Sequence, residues 1–283
     1  MTTLGRTLES VAEKLWQAER TRTPTEPVRD DVSDLGAAYQ VQRLVQDHWS
    51  SEGRRRVGYK IGATSRVVRQ EFGLVEPDAG VLWADTVYAD GDEVPLSRFL
   101  MPRIETEIAF VLEREILVER PTVVDLMRAT AYVLPAMELA DCRIHGWDTT
   151  AIDSVCDNGS GGGAVLGCVP VRPSDLDLRA LTAIMEVDGE AVAVGSGSAC
   201  MGNPWIALAW LAEFLFRSQT ALQAGDIILT GALLRVQPCG LTLSSGRRSA
   251  GWEPLRSSLR DKHGTGWTAS KLPRRNCCRT SPC

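Results

Sequence analysis

The sequence predicts an α+β fold built on a curled sheet or barrel, with a small helical segment in front of it. Three observations carry this: two amphipathic helical patterns at the start, an abrupt change to strand periodicity near residue 57, and few helices after that change. The chain has 283 residues, 44% hydrophobic and 24% charged, enough for one sizeable core.

The elements follow in chain order. Residues 4–20 place Leu4, Leu8, Val11 and Leu15 at helical spacing. Residues 34–49 repeat the pattern with Leu35, Ala38, Val41, Val45 and Trp49 behind a Ser33/Asp34 cap, and Pro24 and Pro27 make the segment between them a loop. From Val57 the period is two: Val57, Tyr59 and Ile61 alternate with Gly58, Lys60 and Gly62, so Lys60 points away from the apolar side chains. Further strands are expected over 104–112, 132–139, 181–187, 191–194 and 226–230, with Asp188-Gly189 as a hairpin turn. Helices are expected at about 122–131 and, behind an Asn203 cap with Pro204 as first helical residue, over 205–216.

After Leu234 the character changes. Residues 235–283 carry ten Lys/Arg against Glu253 and Asp261, with no sustained apolar period. This reads either as a flexible basic extension or as translation in a shifted reading frame. The expected organisation is therefore a helical segment (1–55), a catalytic sheet domain (56–234) and an aberrant basic tail (235–283). The net charge of -5 is carried by an acidic body, which disfavours nucleic acid as a partner. No run approaches the roughly 18 apolar residues needed to span a bilayer and the N-terminus is too charged for a signal peptide, so a cytoplasmic location without membrane contact is expected. The eight cysteines form no CxxC pair and read as free thiols.

The residues that could carry chemistry are mostly acidic. Strand periodicity puts Glu105 and Glu107 on one face of PRIETEIAFVL, about 7 Å apart along the strand. Alone, the pair fits a solvated strand face as readily as a cation site. Glu138, flanked by Ala136, Met137 and Leu139, would be desolvated and in need of a partner. Three oxygen ligands suit a hard cation such as Mg²⁺ or Mn²⁺, and no Cys/His cluster suits zinc. Lys60, on a strand between two glycines, is the expected proton carrier with a lowered pKa, the competing reading being a surface lysine. The Gly-rich DNGSGGG (157–163) brings Ser160 and backbone N–H groups forward, and GSGSACMGNP (195–204) leads into a helix N-terminus; either can also be a plain loop.

Taken together, GYKIGATS (58–65), EPDAGVL (76–82), PRIETEIAFVL (102–112), VLPAMELADCRI (133–144) with DNGSGGG, GSGSACMGNP and AGDIILTGAL (224–233) closely resemble the 2-keto-4-pentenoate hydratase family of the fumarylacetoacetate-hydrolase-like superfamily. The resemblance spans nearly all of 4–234. It implies a mixed β-roll core, a Mg²⁺ or Mn²⁺ site on Glu105, Glu107 and Glu138, Lys60 as acid/base, Asp78 and Ser160 in the substrate pocket, and a homo-oligomer. The implied reaction adds water to a 2-hydroxy-2,4-dienoate, a small 2-oxo or 2-enol acid, in aromatic or steroid meta-cleavage catabolism. Asp78 enters only through the resemblance; as a residue after Pro77 it reads as a turn. The alternatives are the sister 4-oxalocrotonate decarboxylase, an impaired pseudoenzyme, and a partner of a decarboxylase subunit. The sequence departs from the family at Ala79, where a bulkier residue is usual, and beyond LTGALL, where the closing strands are not recognisable.

Overall fold

A computed structural model describes residues 8–186 and 190–234 with their side chains, and the backbone alone of 187, 237–238, 255–260 and 266–270. Helices α1 (Leu8–Thr21) and α2 (Leu35–Ser51) open it. Asp34 caps α2 by accepting from the Ala37 N–H at 2.9 Å, as its residue type and place suggest. The apolar spacing works as expected: α1 buries Val11, Ala12, Leu15 and Ala18, and α2 buries Ala38, Val41, Val45 and Trp49. One polar residue, Gln42, is buried with them. Both helices share one continuous core with the sheet, and the Trp49 ring meets Trp83 edge-on at 5.6 Å.

The first sheet is built from β1 (Arg56–Gly62), β2 (Asp78–Trp83), β3 (Val87–Ala89), β4 (Arg103–Leu112), β5 (Thr130–Ala140) and β6 (Gly161–Leu166), joined by the late strand β9 (Ile227–Leu229) and the two-residue β10 (Gln237–Pro238). The order is β2-β1-β9-β4-β5-β6-β3, with β10 against β4. Its backbone is the long antiparallel β4–β5 ladder, running from Arg103 opposite Ala140 to Leu112 opposite Thr130. β9 inserts parallel to β1 and antiparallel to β4, so sequence-distant segments meet at the centre. The second sheet has the order β12-β11-β7-β8, from β7 (Thr182–Val187), β8 (Glu190–Ser196), β11 (Leu255–Arg260) and β12 (Gly266–Ser270). The helices between strands are α3 (Arg66–Phe72), α4 (Val123–Ala129), α5 (Ala151–Cys156) and α6 (Pro204–Arg217). α6, the most apolar, turns Trp205, Leu208, Leu211 and Leu215 into the core.

The α+β class stands, and two details differ from the expectation. Among the described residues the sheet ends at β2 and β3, without closing into a barrel. Strands also occur past Leu234: β11 pairs antiparallel with β7, in a segment, LRSSLR, whose apolar residues are too sparse to show a period of two. The expected Asp188-Gly189 turn lies outside the described residues.

Candidate metal centre and active site

The site grows from the β4–β5 ladder. Alternation along β4 aims Glu105 and Glu107 to one side, while Ile104, Ile108 and Phe110 enter the core on the other. The register sets Glu105 directly opposite Glu138, a like-charge cross-strand pair that is unfavourable by itself. One ligand oxygen from each of Glu105, Glu107 and Glu138 lies within 4.8 Å of the other two. Glu107 and Glu138 are buried, and Glu105 is half-buried.

Hydrogen bonds do not account for this charge. Glu107 Oε2 accepts from the Gly231 N–H at 2.7 Å, but Glu107 Oε1 and both oxygens of Glu138 lack a hydrogen-bond partner among the described residues. Burial and mutual repulsion push the Glu105 pKa up to about 7, and the same two causes raise Glu107 well above the usual carboxylate range. Burial also raises Glu138, against the pull of Lys60. Converging, under-satisfied carboxylate oxygens are what a hard divalent cation requires, so the residues present fit one.

Lys60 and Asp78 complete the cluster from β1 and β2. Lys60 pairs with Gly80 and Gly62 with Asp78, so both side chains leave the same face of this ladder. The Lys60 Nζ stands 3.4 Å from Glu138 Oε1 and donates to the Gly159 carbonyl at 2.6 Å. Asp78 is equally buried, and its Oδ1 has no hydrogen-bond partner among the described residues. The floor beneath them is glycine by necessity: a Cβ on Gly62 would lie 2.2 Å from Asp78 Oδ1 and 3.1 Å from Lys60 Nζ, and one on Gly159 would lie 2.9 and 3.3 Å from the same atoms. The Lys60 ammonium and the Asp78 carboxylate therefore share one glycine floor beside the three glutamates.

The expected lowering of the Lys60 pKa is corrected by this geometry. Burial alone pulls it down, but Glu138, Asp78, Glu105 and Glu107 together outweigh burial and raise it. Four carboxylates facing one ammonium hold its proton.

Ser160 is buried and follows Gly159 on the same loop, whose link to Lys60 runs through the Gly159 carbonyl. Three features of the candidate site are not foreshadowed by the sequence: the Gly159 carbonyl, the Gly231 N–H and the support of the 157–161 loop by Arg143. The buried Arg143 guanidinium bonds the Asp157 carboxylate, the Asp157 carbonyl at 2.6 Å and the Gly161 carbonyl at 3.0 Å. Arg143 lies within VLPAMELADCRI, but nothing in periodicity marks a lone arginine as buried. In GSGSACMGNP, Asn203 caps α6 by accepting from the Trp205 N–H at 3.2 Å, and the Cys200 thiol donates to the Thr230 carbonyl at 2.7 Å.

Residues 60–250 match the family described as fumarylacetoacetate (FAA) hydrolase C-terminal. A Paraburkholderia phymatum protein named 2-keto-4-pentenoate hydratase is 43% identical over 228 residues, 80% of this chain and 87% of the relative. The chain belongs to the 2-keto-4-pentenoate hydratase family. An Escherichia coli relative named 2-oxo-hept-4-ene-1,7-dioate hydratase is 36% identical over 236 residues, 81% of this chain and 88% of its own. Among solved structures, the 4-oxalocrotonate decarboxylase of Pseudomonas putida G7, complexed with magnesium and adipate, superposes with a TM-score of 0.81 at 27% identity, covering 92% of this chain and 95% of that one. The hydratase family thus shares its scaffold with a decarboxylase that binds a divalent cation and a dicarboxylate.

Proposed function

We propose that this protein is a metal-dependent hydratase that converts a 2-hydroxy-2,4-dienoate into a 4-hydroxy-2-oxo acid. The observation that carries the reading is that Lys60 and the unsatisfied Asp78 carboxylate leave the same face of the β1–β2 ladder, both buried at the edge of the three-glutamate cluster. Glu105, Glu107 and Glu138 would hold Mg²⁺ or Mn²⁺, which would polarise the substrate's 2-oxygen and offset negative charge developing there.

The chain's own groups do the rest. Lys60 delivers a proton to the terminal carbon of the dienol and takes up the proton released from the 2-hydroxyl, so the dienol becomes a 2-oxo-3-enoate and the ammonium is restored. Asp78 then orients a water molecule toward C4, takes its proton as the C4–O bond forms and passes that proton to C3, which completes the addition and restores the carboxylate. Ser160 and the loop that carries it line the pocket at the substrate's carboxylate end. The Gly62–Gly159 floor keeps the ammonium and the carboxylate adjacent, the arrangement a proton donor and a water-orienting base need for successive steps on neighbouring carbons.

A 4-hydroxy-2-oxo acid product belongs to meta-cleavage catabolism, with the enzyme acting in the cytoplasm as a homo-oligomer and association with a decarboxylase subunit as a further arrangement. The decarboxylase reading has less support: relatives named hydratases reach 46% identity against 27% for the decarboxylase structure, and decarboxylation needs no group to orient water. The same assay separates the two. Purified protein with Mg²⁺ or Mn²⁺ is expected to bleach freshly generated 2-hydroxypenta-2,4-dienoate, with EDTA stopping the decay. Release of CO₂ from 4-oxalocrotonate without bleaching of the dienoate would replace hydration by decarboxylation.

The organisation into 1–55, 56–234 and 235–283 belongs to the same proposal, with the basic tail arising from a shifted reading frame. Sequencing the coding DNA tests it. A neighbouring frame that restores a Gly-Asp turn and alternating apolar strands after codon 234 is the expected result, and one that encodes neither removes the frameshift.

A further inference from the structure

One buried polar side chain has no part in this mechanism, and its position is unusual. Among the described residues β2 is an edge strand of the first sheet, and Val81 has no strand partner on its outer side. The Asn158 side chain fills that place: its Oδ1 accepts from the Val81 N–H at 2.8 Å and its Nδ2 donates to the Val81 carbonyl at 3.0 Å. One amide thus imitates a residue of a missing strand. The approach is close enough that a Cβ on Gly80 would fall 2.2 Å from the Asn158 carbonyl oxygen.

Asn158 also begins a strained turn. Asn158, Gly159 and Ser160 are all left-handed, with φ of 58°, 60° and 54°. Asparagine tolerates that region better than most residues, but a serine there costs of order 1 kcal/mol or more, and such a turn persists only when its surroundings over-determine it. They do so here. Arg143 clamps the Asp157 and Gly161 carbonyls on either side. Gln42 on α2 donates to the Ala79 and Val155 carbonyls, both at 2.9 Å, tying β2 to α5 just before the turn.

The result of the strain is a carbonyl aimed at an ammonium. Gly159 follows Asn158 and accepts from Lys60 Nζ at 2.6 Å, while Asp78 lies three residues before Val81 on the strand that Asn158 grips. We propose that Asn158 is a positioning residue that fixes the spacing between the Lys60 ammonium and the Asp78 carboxylate by locking β2 to the left-handed 158–160 turn. It touches neither reacting group. It acts on Lys60 through the Gly159 carbonyl and on Asp78 through the backbone of β2. The inference rests on the hydratase reading, because only there do Lys60 and Asp78 act in turn on neighbouring carbons.

Two variants test it. Asn158→Asp is isosteric but replaces the donor to the Val81 carbonyl with an acceptor, and Asn158→Gly keeps the left-handed backbone without the amide. In the Mg²⁺-loaded full chain, kcat is expected to fall about 10- to 100-fold, the scale of a misplacement near 1 Å. KM and the calorimetric Mg²⁺ affinity should stay within about threefold, because the glutamates stand on the β4–β5 ladder. In a double-mutant cycle, adding Asn158→Asp to Lys60→Met should lower kcat by clearly less than the same change does in the unaltered chain, because only the path through Asp78 remains.

Unchanged kcat in folded variants, or losses that multiply in the cycle, would overturn the proposal and leave Asn158 a stabilising residue only. If the unaltered protein hydrates no dienoate, the hydratase reading fails separately. Crystal structures of the unaltered chain and Asn158→Asp then decide. A Lys60 Nζ that moves out of hydrogen-bond reach of the Gly159 carbonyl in the variant supports the positioning role, and one that stays at hydrogen-bond length refutes it.

Discussion

Replacing Lys60 with Met should lower kcat for dienoate hydration by about 10²- to 10⁴-fold, the range of a lost general acid. The same change removes the cation nearest to Glu138 and leaves the carboxylates facing one another. Two further results distinguish a proton carrier from a scaffold residue. Mg²⁺ affinity by calorimetry should be unchanged or tighter, since the ammonium opposes a second cation beside it. The metal-free variant should lose roughly 3–5 kcal/mol of stability, as expected when a buried ion pair loses one member, and saturating Mg²⁺ should restore most of it. Weakened Mg²⁺ binding would show instead that Lys60 organises the glutamates, and near-normal kcat would remove it from the chemistry.

Glu107→Gln should produce opposite effects on function and on stability. It removes a buried group whose ionisation is opposed by burial and by Glu138 and Glu105, while its amide oxygen can still accept from the Gly231 N–H and its NH₂ can donate to a Glu138 oxygen that lacks a partner among the described residues. Without metal, the variant should melt about 2–8 °C higher than the unaltered chain, corresponding to roughly 1–2 kcal/mol. Activity and the Mg²⁺-induced rise in melting temperature should both disappear. The unaltered chain should show a matching pH dependence. Glu105 titrates near 7 when folded, above its ordinary value of 4.5, so the folded state holds a proton that the unfolded chain releases earlier. Its contribution to metal-free stability is therefore complete below about pH 4.5 and is lost as pH rises through 7. A bound cation requires the ionised form, so the thermal shift with Mg²⁺ should be larger at pH 8 than at pH 6. A shift independent of pH would mean that the glutamates are ionised without the metal.

Much of this site can be read in the chain because it is written in side-chain periodicity. Alternation along 104–112 places Glu105 and Glu107 together, and the apolar run around Glu138 marks a charge in need of a partner. That Glu138 stands opposite Glu105 is a matter of β4–β5 register, which no single strand encodes. Asp78 is hidden for a related reason. β2 is buried along its whole length and shows no alternation, so a residue after Pro77 looks like a turn. The Gly159 carbonyl and the Gly231 N–H are backbone groups and leave no signature in residue identity. The direction of the Lys60 shift depends on how many carboxylates converge on it, which is a property of the assembled fold. Similarly, Gly161–Gly163 reads as loop but forms the start of β6, where neighbouring chains approach closely enough to favour glycine.

The buried glutamine of α2 bears on how such a protein can be inherited. Gln42 reaches from the opening helices to the Ala79 and Val155 carbonyls, beside the strand and the turn that hold the reacting groups. The opening helices are thus bonded to the strand and the helix beside the candidate site, and the joint at residues 55–56 separates no independent core. Recombination that exchanged the first 55 residues for another helical pair would carry away a buttress of the active site unless the incoming helix brought an amide to the same place. A chain in which the opening segment is exchanged on its own is therefore expected to lose the Gln42 bonds to β2 and α5.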